Sequence, residues 1–507
     1  MPSPPHIDSG TGLAFRGAPK PYPFGPPTVA AVLKQGLRDH PDRVALVHGS
    51  MTLTYTELDG EVTRTAAAIG QATDADDVVA WCLPNSIELV VGFLATLRAG
   101  RVWLGLNPRM PEGARAALVE RSDAAMVVSE AHRWSDDPRG RAAEDPSAPT
   151  PIDPHAPAAM SPTSGTTGEP KLVVHSQHGL LWPGLASRET EPIQPGERTL
   201  CSLPLTTLTL MILGPLTALL RGATVVLGSG ASPDAILDDV RRHRVTRLVA
   251  VPTILHDLAE FLAGSGDPPP PSLGTVLVGG AGTTPELRER FEQLFDVRAV
   301  LSYGLSETPT GVARTAPEHP HSATPMPPVR ITIHDDVGAE VTTGATGRIR
   351  IDPTPTGPWA DSWRPMLGYW RDPSATAAAL DGDGLLTEDL GRLDADGRLQ
   401  VVGRCSDLIV RGGTNVVPAE VERALLTHPE VREVAVVGLP DDRLGERIAA
   451  AVVSDDASLT AGALRDHART LLTGDRLPTE VAFVGTLPRN AMGKVVRQDV
   501  VDIFASP

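Results

Sequence analysis

Thr163-Ser164-Gly165-Thr166-Thr167-Gly168-Glu169-Pro170-Lys171 packs four hydroxyls, two glycines and a lysine into nine residues. Glycines let backbone N–H groups turn toward an anion, hydroxyls donate further hydrogen bonds, and the lysine adds positive charge. That is the equipment for holding a polyphosphate. Such composition is also usual in surface linkers, but here the apolar Leu172-Val173-Val174 follows at once and the Pro170-Lys171 ending is unlike a linker. The spacing departs from the P-loop, G-x-x-x-x-G-K-[ST]. Gly165 and Gly168 are three apart, Lys171 is three further on, and no Gly-Lys-Ser/Thr step occurs. Walker-type kinase or ATPase chemistry is thereby disfavoured.

At 507 residues the chain is too long for one ordinary domain, and its 41% hydrophobic content is enough for a substantial core. A net charge of -17 argues against general binding to nucleic acid or an anionic membrane, leaving room only for a local basic pocket. Three widely spaced cysteines (Cys82, Cys201 and Cys405) fit neither a disulfide framework nor a metal cluster, and point to a reducing compartment. The N-terminus has no charged-then-apolar signal pattern, and no apolar run approaches bilayer length. A cytoplasmic protein without a membrane span is expected.

Outward from the glycine-rich stretch, strand-like and helix-like segments alternate. Val78 to Leu83 reads as a buried strand, Ile87 to Ala99 as a helix stopped by Gly100, and Val102 to Leu106 as the next strand. Helices over Asp234 to Arg242 and Thr253 to Leu262 flank a strand at Val245 to Val251. Val276-Leu277-Val278 precedes a further helix opened by Thr284-Pro285. This alternation predicts parallel sheets covered on both faces. Ser135 to Met160 and Pro353 to Pro365 read as exposed loops. From Asp394-Ala395-Asp396-Gly397, a hairpin signal, the texture becomes that of a small α+β unit of about a hundred residues. The expected domains are 1–404, large, α/β and with a β-rich part, and 405–507, with the boundary near Arg404 to Asp407.

Four more clusters carry chemistry. Gly279-Gly280-Ala281-Gly282 ends a strand, where backbone can approach a flat ligand, although most such turns are merely tight. Tyr303-Gly304-Leu305-Ser306-Glu307 offers an aromatic face, a hydroxyl and a carboxylate at a strand end, where open α/β sheets place ligands. In Thr387-Glu388-Asp389-Leu390-Gly391, Asp389 suits ribose hydroxyls, or equally a turn or cap. Pro488-Arg489-Asn490-Ala491-Met492-Gly493-Lys494 is a polar loop with a lysine, by itself a solvated tail.

In this order, over about Val32 to Val501, these segments together with Gly403 to Gly413 (GRCSDLIVRGG) resemble the adenylate-forming superfamily of acyl- and aryl-CoA synthetases, nonribosomal adenylation domains and beetle luciferases. The resemblance implies a large N-terminal domain of α/β subdomains and a mobile C-terminal domain. It implies a two-step reaction using ATP and Mg²⁺: a carboxylic acid becomes an acyl-adenylate with release of pyrophosphate, then the acyl group passes to a thiol such as coenzyme A. On this pattern Thr163, Ser164, Gly165, Thr166, Thr167, Gly168 and Lys171 would bind the β- and γ-phosphates. Gly280 and Ala281 would lie against adenine and Tyr303 would stack on it. Gly304 and Ser306 would sit at the nucleotide, Ser306 replacing a usual threonine. Glu307 would help hold Mg²⁺, Asp389 would take the ribose hydroxyls assisted by Arg404, and Lys494 would neutralise charge as the acyl–phosphate bond forms.

Two departures from the pattern matter. Leu203-Pro204-Leu205-Thr206-Thr207 falls where many acyl-CoA synthetases carry an aromatic or histidine gate, aligned with Thr207. Smaller Thr206 and Thr207 imply a roomier acyl pocket and a bulky hydrophobic acid, alicyclic or polycyclic. At the hinge, Ser406 replaces the usual Asp or Lys, while Gly413 matches the glycine of the pantetheine tunnel. A stand-alone carboxylate–CoA ligase is the leading reading. Its rivals are a ligase that loads a separate carrier protein, a non-catalytic nucleotide sensor and a phosphotransferase.

Overall fold

The computed structural model describes residues 5–130, 152–163, 170–191, 196–280, 283, 285–316, 318–335, 337–489 and 495–505. They fall into two compact units, Met1–Ile331 with Ile351–Leu386, and Thr332–Arg350 with Thr387–Pro507.

The first unit carries the alternation read from the sequence. The strand Val78–Trp81 is buried throughout. The helix Ile87–Arg98 starts where the Ser86 hydroxyl accepts the Leu89 N–H at 3.2 Å, a cap that contributes about 1 kcal/mol. Leu89 to Leu97 are all buried, while the charged Glu88 and Arg98 near its two ends stay partly exposed. Gly92 allows its close approach to the sheet, since a methyl there would stand 2.4 Å from the Trp81 ring.

Six strands form one sheet, in the spatial order Gly368–Tyr369, Leu172–Ser176, Pro157–Pro162, Val102–Gly105, Val78–Trp81 and Ala124–Val128. The last four run parallel, whereas Leu172–Ser176 is antiparallel to both its neighbours. A larger sheet passes from His319–Pro325 through Gly311–Ala316, Arg298–Gly304, Thr275–Val278, Arg247–Ala250, Arg198–Cys201, Thr224–Leu227 and Val44–His48 to Met51–Thr54. Its centre is parallel. Helices Pro233–His243, Pro252–Ser265 and Pro285–Phe295 seal that centre, burying Ile236, Val240, Leu255, Leu258 and Phe291 against Leu248, Val276 and Ala299.

The second unit is α+β. The hairpin Gly384–Leu393 with Leu399–Arg404 forms at the predicted Asp394–Gly397 turn. A mixed sheet follows, ordered Thr414–Val416, Ile409–Arg411, Gly445–Ser454 and Val431–Asp441, with Glu480–Phe483 parallel to Gly445–Ser454. Helices Pro418–Leu426 and Ala461–Ala468 bury Val421, Leu425 and Leu464 against Val436, Ile448 and Val452.

Two loop expectations are corrected. Within Ser135 to Met160, residues 135–151 lie outside the described residues, but Pro157–Pro162 is a strand with Ala158, Ala159 and Met160 buried. Its prolines stand at the two ends, where the ladder tolerates a missing donor. The Pro353 to Pro365 segment is irregular but not exposed throughout. Trp359 and Trp363 are buried, and Trp359 meets the Phe24 ring edge-on at 5.5 Å.

Candidate active site

In the first unit, the strands Pro157–Pro162 and Leu172–Ser176 pair antiparallel, and the glycine-rich stretch is the connection between them. At its base the Thr163 N–H donates to the Lys171 carbonyl at 2.8 Å. Ser164, Gly165, Thr166, Thr167 and Gly168 lie outside the described residues, as do Ala281 and Lys494. The pairing delivers Lys171 at a strand end, where its ammonium lies 5.0 Å from the centre of the Tyr369 ring.

Tyr369 ties this lysine to the loop that carries the Glu307 carboxylate. It is held by pairing with Val173 and by its N–H donating to Thr376 Oγ1 at 2.9 Å. Its hydroxyl donates to Glu307 Oε1 at 2.6 Å, the short contact expected of a hydroxyl on a carboxylate. The Glu307 backbone is fixed as well, since its carbonyl accepts the Met366 N–H at 2.9 Å. One residue earlier, the Ser306 carbonyl accepts from His175 Nε2 at 2.7 Å, so that nitrogen carries the proton. His175 is buried, and burial drives its pKa down to about 4, opposed only by this hydrogen bond. It is a neutral imidazole bracing the loop. The loop also closes on itself: Thr308 Oγ1 accepts the Leu305 N–H at 3.1 Å and donates to the Thr310 carbonyl at 2.7 Å.

Beside this cluster, Thr275–Val278 and Arg298–Gly304 run parallel with Val278 opposite Leu301. Gly279-Gly280 and Tyr303-Gly304 therefore emerge together from the C-terminal edge of the sheet, the usual ligand edge of such sheets. Two of these glycines are demanded by the backbone. Gly280 has φ +88°, and a methyl on Gly304 would lie 2.1 Å from the Thr310 carbonyl oxygen.

The Leu203–Thr207 segment is clamped by Asn85, which donates to the Leu203 carbonyl and accepts the Leu205 N–H, both at 2.8 Å. Thr206 lies so close to Gly105 that a methyl there would meet the Thr206 carbonyl at 2.1 Å. The Thr206 hydroxyl is buried without a hydrogen-bond partner. Thr207 precedes the helix Leu208–Met211, and Thr209 Oγ1 donates to the Pro309 carbonyl at 2.8 Å, joining this segment to the Glu307 loop. Leu208, Leu210, Met211, Ile212 and Leu213 are all buried, as core residues would be.

In the second unit, Asp389 and Arg404 stand opposite each other in the hairpin, and Arg404 Nε donates to Asp389 Oδ1 at 2.9 Å. Asp389 is thus a strand residue, not a turn or cap. Ser406 lies in the 3₁₀ turn Cys405–Asp407. Arg497, three residues beyond Lys494, donates to Asp407 Oδ2 at 3.1 Å and to Glu422 Oε1 at 2.9 Å. Gly412 and Gly413 form a two-residue hairpin turn with φ +59° and +84°, so the turn alone demands glycine at 413.

Among the described residues, no group of three or more His, Cys, Asp or Glu side chains forms a metal cage. One anchored carboxylate, Glu307, fits the binding of Mg²⁺, which takes one or two carboxylates and completes its shell with water and substrate phosphates.

The AMP-binding enzyme family model matches residues 33–354, and the AMP-binding enzyme C-terminal domain model matches residues 420–494. The chain belongs to the AMP-binding enzyme family. Within that family, the feruloyl-CoA synthase of an Amycolatopsis species is 32% identical over 484 residues, 91% of this chain and 96% of that protein. The o-succinylbenzoate coenzyme A synthetase of Bacillus subtilis, solved with ATP and magnesium ion, superposes with a TM-score of 0.78 at 29% identity, covering 92% of this chain and 98% of that one. An amide bond synthetase from Marinactinospora thermotolerans gives a TM-score of 0.82 at 28% identity, covering 94% and 99%. This AMP-binding enzyme is an AMP-forming acid–CoA ligase that uses ATP, Mg²⁺ and coenzyme A. No described helix is long and apolar enough to cross a membrane.

Tyr369, His175 and the Arg497–Asp407 pair were missed by sequence reasoning. Tyr369 is one of only four tyrosines, and that scarcity was the one available signal.

Proposed function

We propose that this ligase activates a bulky hydrophobic carboxylic acid, alicyclic or polycyclic, as its acyl-adenylate and passes the acyl group to coenzyme A. The observation that carries the acid class is the pair Thr206–Thr207. Two small side chains stand at the position of the gate, on a backbone pinned by Asn85 and pressed against Gly105.

The residue roles follow from chemistry and position. Thr163 to Gly168 and Lys171 bind the β- and γ-phosphates; Gly280, Ala281, Tyr303 and Gly304 receive the adenosine end; Ser306 supplies a hydroxyl. Glu307 holds the magnesium, which screens the anionic triphosphate when bound. Asp389 takes the ribose hydroxyls, its carboxylate oriented by Arg404. The acid's carboxylate oxygen attacks the α-phosphorus and pyrophosphate leaves. Lys494 offsets the charge that accumulates as two anions meet. The coenzyme A sulfur, having lost its proton, then attacks the acyl carbon, and AMP leaves. The pivot is assigned to Ser406, beside the 404/405 boundary expected from the sequence, with Gly413 beside the pantetheine path. Turning the C-terminal domain between steps withdraws Lys494 and keeps the adenylate from water.

A pyrophosphate-release screen over acids from acetate to polycyclic, with and without coenzyme A, tests the reading. The expected result is a kcat/KM at least about a hundredfold higher for bulky acids than for acetate, with thioester formed only when coenzyme A is present. Preference for acetate or propionate would overturn the acid class. Acylation of a carrier protein but not of coenzyme A would overturn the acceptor.

A further inference from the structure

One ring serves two opposite charges in the first unit. The Tyr369 hydroxyl donates to Glu307 Oε1 at 2.6 Å, and the same ring carries the Lys171 ammonium 5.0 Å from its centre. Neither charged group is given an ionic partner by this arrangement. A phenol hydrogen bond orients a carboxylate without cancelling its charge, and an aromatic face holds an ammonium without supplying an anion. A direct Lys171–Glu307 ion pair would do the reverse: the lysine would be lost to the phosphates and the carboxylate to the metal.

Tyr369 is built to hold still. The residue is buried, its backbone pairs with Val173, two residues beyond Lys171, and its N–H is bound to Thr376 Oγ1. Its carbonyl accepts the Asp372 N–H at 3.1 Å. Such rigidity has no purpose in a mere space-filler at a strand end. It does serve a residue that must fix the rotation of a carboxylate.

From this geometry we infer that Tyr369 is a positioning residue: it orients Glu307 for magnesium and holds Lys171 for the nucleotide phosphates, keeping the two from neutralising each other. The inference rests on the assignment of Glu307 to the metal.

Tyr369→Phe separates the two duties. It keeps the ring beneath Lys171 and removes only the hydroxyl. Electron paramagnetic resonance titration of Mn²⁺ into the enzyme–ATP complex reads the metal directly, without turnover. Mn²⁺ affinity should fall about tenfold in Tyr369→Phe, the scale typical for loss of a ligand's supporting hydrogen bond. The KM for ATP at saturating Mg²⁺ should stay within about twofold, because the lysine contact is intact. Tyr369→Leu, which also removes the ring, should raise that KM as well. Glu307→Gln is the reference, and it should weaken Mn²⁺ binding at least as much as Tyr369→Phe. Weakened binding in Glu307→Gln with unchanged binding in Tyr369→Phe would overturn the positioning role alone. Unchanged Mn²⁺ binding in Glu307→Gln would overturn the metal assignment and the inference with it.

Discussion

Replacing His175 with glutamine should make the enzyme's larger unit less sensitive to acid. In the folded chain the pKa of His175 is pushed down to about 4 by burial, from an ordinary 6.5. The unfolded chain therefore takes up the proton first as pH falls. The stability held by the neutral ring is complete above pH 6.5 and drains away as pH drops toward 4. Between pH 7 and pH 5 that loss amounts to about 2 kcal/mol from this one side chain. Glutamine presents an amide N–H where His175 Nε2 donates to the Ser306 carbonyl, and it never titrates. The variant should thus keep the brace and lose the slope. His178, whose pKa is likewise pushed down to about 4 chiefly by burial, stays in both proteins and cancels from the comparison. All seven tryptophans fall within Met1–Ile331 and Ile351–Leu386, so their fluorescence reports unfolding of that unit. With a urea dependence on the order of 4 kcal/mol per M for a unit of this size, wild type should lose about 0.5 M more of its midpoint between pH 7 and pH 5 than the variant. Equal midpoint losses would refute the buried neutral imidazole.

Two other substitutions test the scaffold. Arg221 and Glu197, both almost wholly buried, share two hydrogen bonds of 2.8 and 2.7 Å, so Arg221→Met strands a carboxylate and should cost about 3–5 kcal/mol in the same fluorescence assay. Adding Glu197→Gln should restore most of that loss. Arg497→Met unties Asp407 from the helix Arg497–Ala505 that follows Lys494; adenylation should slow about tenfold, while thioester formation from preformed acyl-adenylate stays within about twofold, as read by stopped-flow release of pyrophosphate and AMP.

Much of this architecture was legible because its signals are local. Ser86 before an apolar run and Gly100 after it mark the Ile87–Arg98 helix without reference to anything else. The glycine-rich stretch, the Tyr303–Glu307 cluster and Asp389 stood out as candidates because their side-chain chemistry is written in consecutive residues. What escaped depends on distant partners. Pro157–Pro162 looks like loop composition and becomes a strand only by lying between Leu172–Ser176 and Val102–Gly105. Trp359 and Trp363 sit in a Pro/Gly-rich segment whose burial is set by residues such as Phe24, far away in the chain. Tyr369 belongs to a strand of two residues, too short to show periodicity, and it meets groups at 171 and 307. The Asp407–Arg497 pair spans most of the second unit's sequence.

The central claim is that a lysine near the C-terminus serves acid activation and then withdraws, and rapid-quench measurement of the two half-reactions in Lys494→Ala tests it most directly. Formation of acyl-adenylate should fall by about a hundredfold or more, the scale expected for losing one charge contact at the transition state, while transfer from supplied acyl-adenylate to coenzyme A should proceed nearly as in wild type. Equal loss in both half-reactions, or an undiminished first step, would contradict the account.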